Sequence, residues 1–268
     1  MCATCGCSSE THEHDDHHHH DHDHDQQHDH DHDHHHNERA QVIDLERRVL
    51  AKNDHIASHN RADFARAGVL ALNLLGSPGA GKTSLLERTI REAGGELGIS
   101  VIEGDQATAR DADRVRAAGA RAVQVQTGAV CHLDAQMVAR ASRELAPAPG
   151  SVLLIENVGN LVCPALFDLG EAARVVLASV TEGDDKPAKY PHMFRRCDLL
   201  LIGKIDLLPH LGGDFDLPAL VRAARQLNPA VEILEVSARS GQGMPAWIAW
   251  LRARRAALTA APAREVVR

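Results

Sequence analysis

Gly76-Ser77-Pro78-Gly79-Ala80-Gly81-Lys82-Thr83 constrains this 268-residue chain more than any other stretch. It fits G-x-x-x-x-G-K-[ST] without a gap, with an apolar run at 69–75 before it and a helical pattern at 83–93 after it. The glycines let backbone N–H groups turn inward around phosphate oxygens, and the following helix N-terminus adds its partial positive charge. In that reading Gly76, Gly79, Ala80, Gly81 and Ser84 shape the cradle, Lys82 sits on the β- and γ-phosphates, and the Thr83 hydroxyl binds Mg2+. An ordinary Gly-rich turn would not need both the strand and the helix.

The remainder repeats the same alternation. Apolar runs at 100–103, 122–126, 152–155, 175–180, 199–202 and 231–236 are separated by helical patterns at 109–118, 133–145, 217–227 and 244–257. Strands that are apolar throughout, with helices between them, predict a mostly parallel sheet of about seven strands covered on both faces. The expected class is α/β, a P-loop nucleotide hydrolase domain over 67–268, with a helical lead-in at 39–66. Val42, Leu45, Val49 and Leu50 supply the periodicity of that lead-in.

Residues 1–38 are of another kind. Fourteen of the nineteen histidines lie in the first 36 residues, together with Cys2, Cys5 and Cys7. Between Ser8 and His36 no large apolar side chain is available to bury, so this tail is expected to be mostly disordered and to bind metal. Thiolates and imidazoles suit borderline transition metals. Gly6 permits a tight turn that brings Cys2, Cys5 and Cys7 onto one ion, and a terminal amine or backbone nitrogen as fourth donor favours planar Ni2+ over tetrahedral Zn2+. The His/Asp run reads as many weak sites, a reservoir.

The tail carries eleven Asp or Glu and no Lys or Arg, whereas the body holds 29 Lys+Arg against 26 Asp+Glu. A near-neutral body excludes a nucleic-acid partner of the basic-patch kind. Six cysteines at these spacings read as metal ligation, not as a disulfide framework. No apolar run follows Met1 and none is long enough to span a membrane, so a cytoplasmic protein is expected.

The base and the reaction are read from strand ends. Gly203-Lys204-Ile205-Asp206 stands where guanine-reading proteins carry Asn-Lys-x-Asp. The Asp206 carboxylate can accept from guanine N1–H and N2–H2, Lys204 lies along the base, and Ser237-Ala238 resembles the second base-contacting loop. Gly203 lacks the amide that braces such a loop, so GTP is expected to be preferred with weaker discrimination; as a bland alternative, Asp206 is a turn residue. Asp105 is placed on Mg2+ or the attacking water, with Asp111 a lesser choice. Glu156 ends a buried strand, and the Gly159 N–H is placed as a γ-phosphate sensor. Cys131, His132 and Cys163 together supply two thiolates and an imidazole near that sensor. Taken singly, the two thiols read as ordinary buried cysteines, and Glu156 as a strand-end residue.

These motifs carry a family resemblance over nearly the whole chain. The C-x-x-C-G-C terminus, GSPGAGKT, EGDQATARD, Cys131-His132-Leu133-Asp134, ENVGNLVCP and TEGDDKPAKYP resemble the hydrogenase nickel-incorporation GTPases, the HypB family of the SIMIBI class. The resemblance implies a metal-binding GTPase that helps insert nickel into the large subunit of [NiFe]-hydrogenase. It implies GTP-driven homodimers with Cys131, His132 and Cys163 at or near the interface. It also implies a companion nickel metallochaperone and a nickel-binding peptidyl-prolyl isomerase as partners, and places Lys186 and Lys189 in a nucleotide-meeting loop. The implied ligands are GTP, Mg2+, Ni2+ and Zn2+. Two rivals remain: a urease-maturation GTPase, against which C-x-x-C-G-C and ENVGNLVC argue, and a nickel or zinc storage protein with a vestigial nucleotide site.

Overall fold

The computed structural model describes residues 32–105, 110–128 and 130–260. Cys2, Cys5, Cys7 and most of the His/Asp run therefore lie outside the described residues. The chain divides into two units, residues 1–52 and 53–268, and helix α1 (His32–Arg66) crosses that boundary. It begins inside the segment read as tail. In the first unit Leu45 and Val49 are exposed on this helix.

The second unit is an α/β layer structure. In chain order it contains β1 (Leu70–Gly76), α2 (Lys82–Leu97), β2 (Ser100–Asp105), α3 (Arg110–Ala117), β3 (Arg121–Gln126), α4 (Ala135–Leu145), β4 (Val152–Glu156) and α5 (Cys163–Leu166). Then follow β5 (Ala173–Ser179), α6 (Lys186–Lys189), α7 (Pro191–Arg195), β6 (Leu199–Gly203), α8 (Leu217–Leu227), β7 (Glu232–Glu235) and α9 (Met244–Ala260). The strands form one sheet in the order β3-β2-β4-β1-β5-β6-β7, and every pairing is parallel. The expected seven-strand α/β class is what the chain adopts.

Side chains along each strand alternate between two apolar layers. Leu72, Leu74, Leu154, Val175 and Leu201 face a layer containing Leu85, Leu86 and Trp247 of α2 and α9. Ala71, Leu153 and Ile155 face Phe64 of α1 and Val138 and Leu145 of α4. Val176, Ala178, Leu200 and Ile202 face Phe194 and Leu220 of α7 and α8. Trp247 is 1 % exposed, and its indole N–H donates to Thr89 Oγ1 at 2.9 Å, tying α9 to α2. That satisfies the one polar atom of a large buried ring.

Two differences from the sequence reading bear on function. The helix expected over 133–145 starts at Ala135, because the Asp134 carboxylate accepts the Met137 N–H at 2.7 Å and caps it. Cys131 and His132 thus stand in the loop before the helix. The short helices α5, α6 and α7 were not foreseen, being too short to show a 3.6-residue period.

Candidate functional site: a phosphate cleft joined to a thiol–imidazole cluster

A parallel sheet puts the C-terminal ends of its strands on one edge, and five neighbouring strands here end in chemistry. β1 runs into the phosphate loop, β2 ends with Glu103-Gly104-Asp105, β4 with Glu156, β5 with Ser179, and β6 with Gly203-Lys204. Glu103 and Glu156 are register partners on adjacent strands, so their side chains leave the sheet side by side.

The loop between β1 and α2 needs its glycines at particular points. Gly79 and Gly81 have φ of 76° and 101°, the left-handed region. A Cβ on Gly76 would come within 2.7 Å of the Leu177 carbonyl oxygen. α2 starts with no side-chain cap, which leaves its first N–H groups to point into the loop. Lys82 is 7 % exposed, and its Nζ donates to Gly76 O and Ser77 O at 3.1 and 3.2 Å. Burial pulls the Lys82 pKa down, and the nearby Glu156, Glu182, Glu103 and Asp111 oppose that. Lys186 Nζ reaches Ser77 Oγ at 3.3 Å, whereas Lys189 turns to Asp185 at 2.6 Å.

A cleft of about 600 Å³ opens over this loop. Lys82, Thr83, Ser84, Asp105, Glu156 and Gly159 all line it, as do Glu103, Asp111, Arg114 and Asn157. The Thr83 hydroxyl donates to Glu156 Oε1 at 2.9 Å. Glu156 Oε2 and Glu103 Oε2 are buried without a hydrogen-bond partner among the described residues. Burial, then the charges of Glu156, Asp111 and Asp105, push the Glu103 carboxyl up to about 8. Burial likewise pushes Glu156 up to about 7, held back by Lys82 and the Thr83 hydrogen bond. Oxygen donors left unpaired beside Thr83 and Asp105 are the donor set a hard divalent cation takes, so these residues fit Mg2+.

A second pocket of about 310 Å³ adjoins the cleft and is lined by Ala80, Ser84, Gly203, Lys204, Asp206, Ser237, Ala238 and Arg239. Lys204, with φ of 57°, sends its Nζ back to Gly79 O at 2.7 Å. Asp206 lies in the first turn of the 3-10 segment Ile205–His210. A Cβ on Gly203 would meet Leu177 Cδ1 at 2.9 Å, so any larger residue there requires the Leu177 side chain to shift.

Cys131, His132 and Cys163 are brought together: their ligand atoms lie within 4.8 Å of one another. Cys163 is 1 % and His132 8 % exposed, while Cys131 is half-buried. The His132 ring stacks on Phe167 at 3.9 Å between centroids, and its Nδ1 is buried without a partner among the described residues. Burial lowers the His132 pKa, against the pull of Asp134, and this favours the neutral, ligating imidazole. Cys197 is elsewhere in the core, its thiol pushed up to about 12 by burial, and is chemically inert.

The segment 156–163 joins the cleft to this cluster. Asn157 Oδ1 accepts the Leu133 N–H at 3.1 Å, and its Nδ2 donates to Asn73 Oδ1 at 3.2 Å. Asn160 Nδ2 donates to Cys131 O at 3.4 Å, and Asn160 forms an antiparallel bridge to Gly76. Gly159 lies against the phosphate loop, where a Cβ would be 2.9 Å from Pro78 N. The two asparagines, Glu103 and Arg114 escaped the sequence reading. Polar residues directly after a fully apolar strand were the available signal for the asparagines.

The family model "CobW/HypB/UreG, nucleotide-binding domain" matches residues 70–235. The chain is 58 % identical over 211 residues to the hydrogenase maturation factor HypB of Rhizobium leguminosarum bv. viciae, covering 79 % of this chain and 70 % of that one. The crystal structure of HypB from Archaeoglobus fulgidus superimposes with a TM-score of 0.71 at 42 % identity, over 77 % of this chain and all of that one (100 %). HypB from Helicobacter pylori, solved in complex with nickel, gives 0.71 at 36 % identity, over 77 % and 96 % of the two chains. A CobW/HypB/UreG nucleotide-binding domain, a closely similar curated relative and the same fold in two solved HypB structures place this chain in the HypB family of hydrogenase maturation factors.

Proposed function

We propose that this chain is a nickel-binding GTPase that assists the GTP-dependent insertion of nickel into the large subunit of [NiFe]-hydrogenase. The observation that carries the reading is the continuity of segment 156–163, which begins in the phosphate cleft at Glu156 and ends in the metal-competent cluster at Cys163. The family membership and the nickel-bound solved relative supply the cargo. Two thiolates and an imidazole suit Ni2+ or Zn2+ as that cargo.

GTP would lie with its phosphates over Gly76–Thr83 and its base in the smaller pocket, where Asp206 accepts from the guanine edge and Lys204, Ser237 and Ala238 flank it. Thr83 and Asp105 would hold Mg2+, which neutralises charge on the phosphate oxygens when bound. Lys82 stabilises the charge that develops as water attacks the γ-phosphate and GDP leaves. Glu156 holds the Thr83 hydroxyl, and the Gly159 N–H reports the γ-phosphate. Loss of that phosphate releases Gly159 from the loop, and Asn157, Asn160 and Cys163 move with it. The cargo ion is then held differently in the two nucleotide states.

The GTP-bound form is proposed to dimerise, to work in the cytoplasm, and to meet a nickel metallochaperone and a nickel-binding peptidyl-prolyl isomerase. Residues 1–38, with Cys2, Cys5 and Cys7, are proposed to store or acquire the metal. No helix among the described residues is long and apolar enough to cross a membrane.

Deleting the gene and assaying hydrogenase and urease in the same cells, with and without excess nickel, tests the assignment. Loss of hydrogenase alone, restored by nickel, is expected. Intact hydrogenase with urease lost, or with only metal tolerance changed, would instead favour one of the rival readings.

A further inference from the structure

Helix α1 carries a feature that neither the nucleotide site nor the thiol–imidazole cluster uses. His55 and His59 are both exposed and stand one helical turn apart, on the side of the helix turned away from its buried Asn53, Ala57, Asn60 and Phe64. Residues four apart on a helix lie one above the other, with side chains tilted toward the N-terminus. Here the two rings meet edge to face, 4.8 Å between centroids at 83°, with their Nε2 atoms 3.3 Å apart. Both ring tips thus converge on one point at the solvent surface.

We infer that His55 and His59 form a surface metal site for a borderline divalent cation, Zn2+ being the ion whose geometry it matches. Zinc–imidazole bonds are about 2.05 Å, and two such bonds spanning tips 3.3 Å apart subtend about 107°. That is close to the tetrahedral angle, so the separation of the two nitrogens suits zinc once the rings turn their lone pairs to it. A cation requiring a right angle needs the tips drawn in to about 2.9 Å.

The present contact between the nitrogens requires one ring to donate and the other to accept. Binding replaces it: both rings become neutral Nδ1–H tautomers, and both Nε2 lone pairs face the ion. The helix is firmly seated at this point. Asn53 Nδ2 donates to Asp168 O at 2.8 Å, Asn53 Oδ1 accepts from Ala135 N at 2.9 Å, and Asn60 Nδ2 donates to Ala135 O at 2.8 Å. The pair is therefore preorganised.

Water completes the tetrahedron around the two imidazoles.

Zn2+ alone, titrated into the full chain with labelled histidine, tests this through the imidazole resonances of His55 and His59, assigned by single substitution. Such a readout is specific to these residues whatever the tail and the cysteines take up. The two rings are expected to shift with one midpoint, and His59→Ala to raise the His55 midpoint about tenfold, because a chelate becomes a single ligand. A His55 midpoint moved less than threefold by His59→Ala, with the rest of the amide spectrum unchanged, would overturn the site. So would rings that do not respond while the tail histidines saturate. A purely structural contact between the rings predicts no dependence of one midpoint on the other.

Discussion

Glu103 and Glu156 are neighbours across two strands, nearly inaccessible, and each keeps one oxygen without a donor among the described residues. Both carboxyls lie above the ordinary value of 4.5, at about 8 and about 7. Between that ordinary value and the raised ones, the folded chain holds protons that the unfolded chain has lost. Stability of the nucleotide-free, Mg2+-free protein should therefore fall as pH rises through that window. Denaturant midpoints measured from pH 5 to 8.5 check this, and Glu103→Gln should flatten the slope. A midpoint that climbs with pH would contradict it. Lys82→Ala should abolish GTP turnover, by a factor of about 10² or more, as for loss of any preorganised charge stabiliser; steady-state phosphate release measures it. Phosphate-loop chemistry was legible in the sequence because its motif is contiguous. The Glu103–Glu156 pairing was not, since it depends on a register between strands 53 positions apart.

The element that matters most is the segment from Glu156 to Cys163. Its asparagines connect the phosphate loop, through Gly76 and Asn73, to the carbonyl of Cys131 and the N–H of Leu133. Asn160→Ala should leave GDP affinity within about twofold while removing most of the dependence of metal affinity on nucleotide, since the coupling is a shared free energy. Metal titrations with GDP and with a non-hydrolysable GTP analogue read it. Gly159→Ala places a methyl against Pro78 backbone atoms and should cut turnover sharply, with equilibrium denaturation showing only a modest loss. Cys163 and Cys131 could be named from sequence as thiols near a sensor. Their grouping with His132 was legible too; the late start of α4, which Asp134 caps and which leaves Cys131 and His132 in a loop, was not. Lys189 illustrates the reverse: it shares a sequence motif with Lys186, yet Asp185 holds it while Lys186 reaches Ser77.

At the scale of the whole molecule, strands that are apolar on both faces could only become a doubly covered parallel sheet, and so the α/β class was readable in advance. Elements of four or five residues were not, having too few side chains to establish a period. Deleting residues 8–36 should lower the number of metal ions bound per chain while GTP turnover persists, as measured by equilibrium dialysis and phosphate release; a parallel loss of both would join tail and domain into one machine. The central claim is that nucleotide state and cargo metal are linked through Cys163. The most direct measurement is Ni2+ affinity of the full chain with GDP and with a non-hydrolysable GTP analogue, compared with Cys163→Ala. The two affinities should differ by about fivefold or more in the parent, and the difference should vanish in the variant, with its GDP affinity unchanged. Equal affinities in the two nucleotide states of the parent, or the same difference surviving in Cys163→Ala, would contradict it.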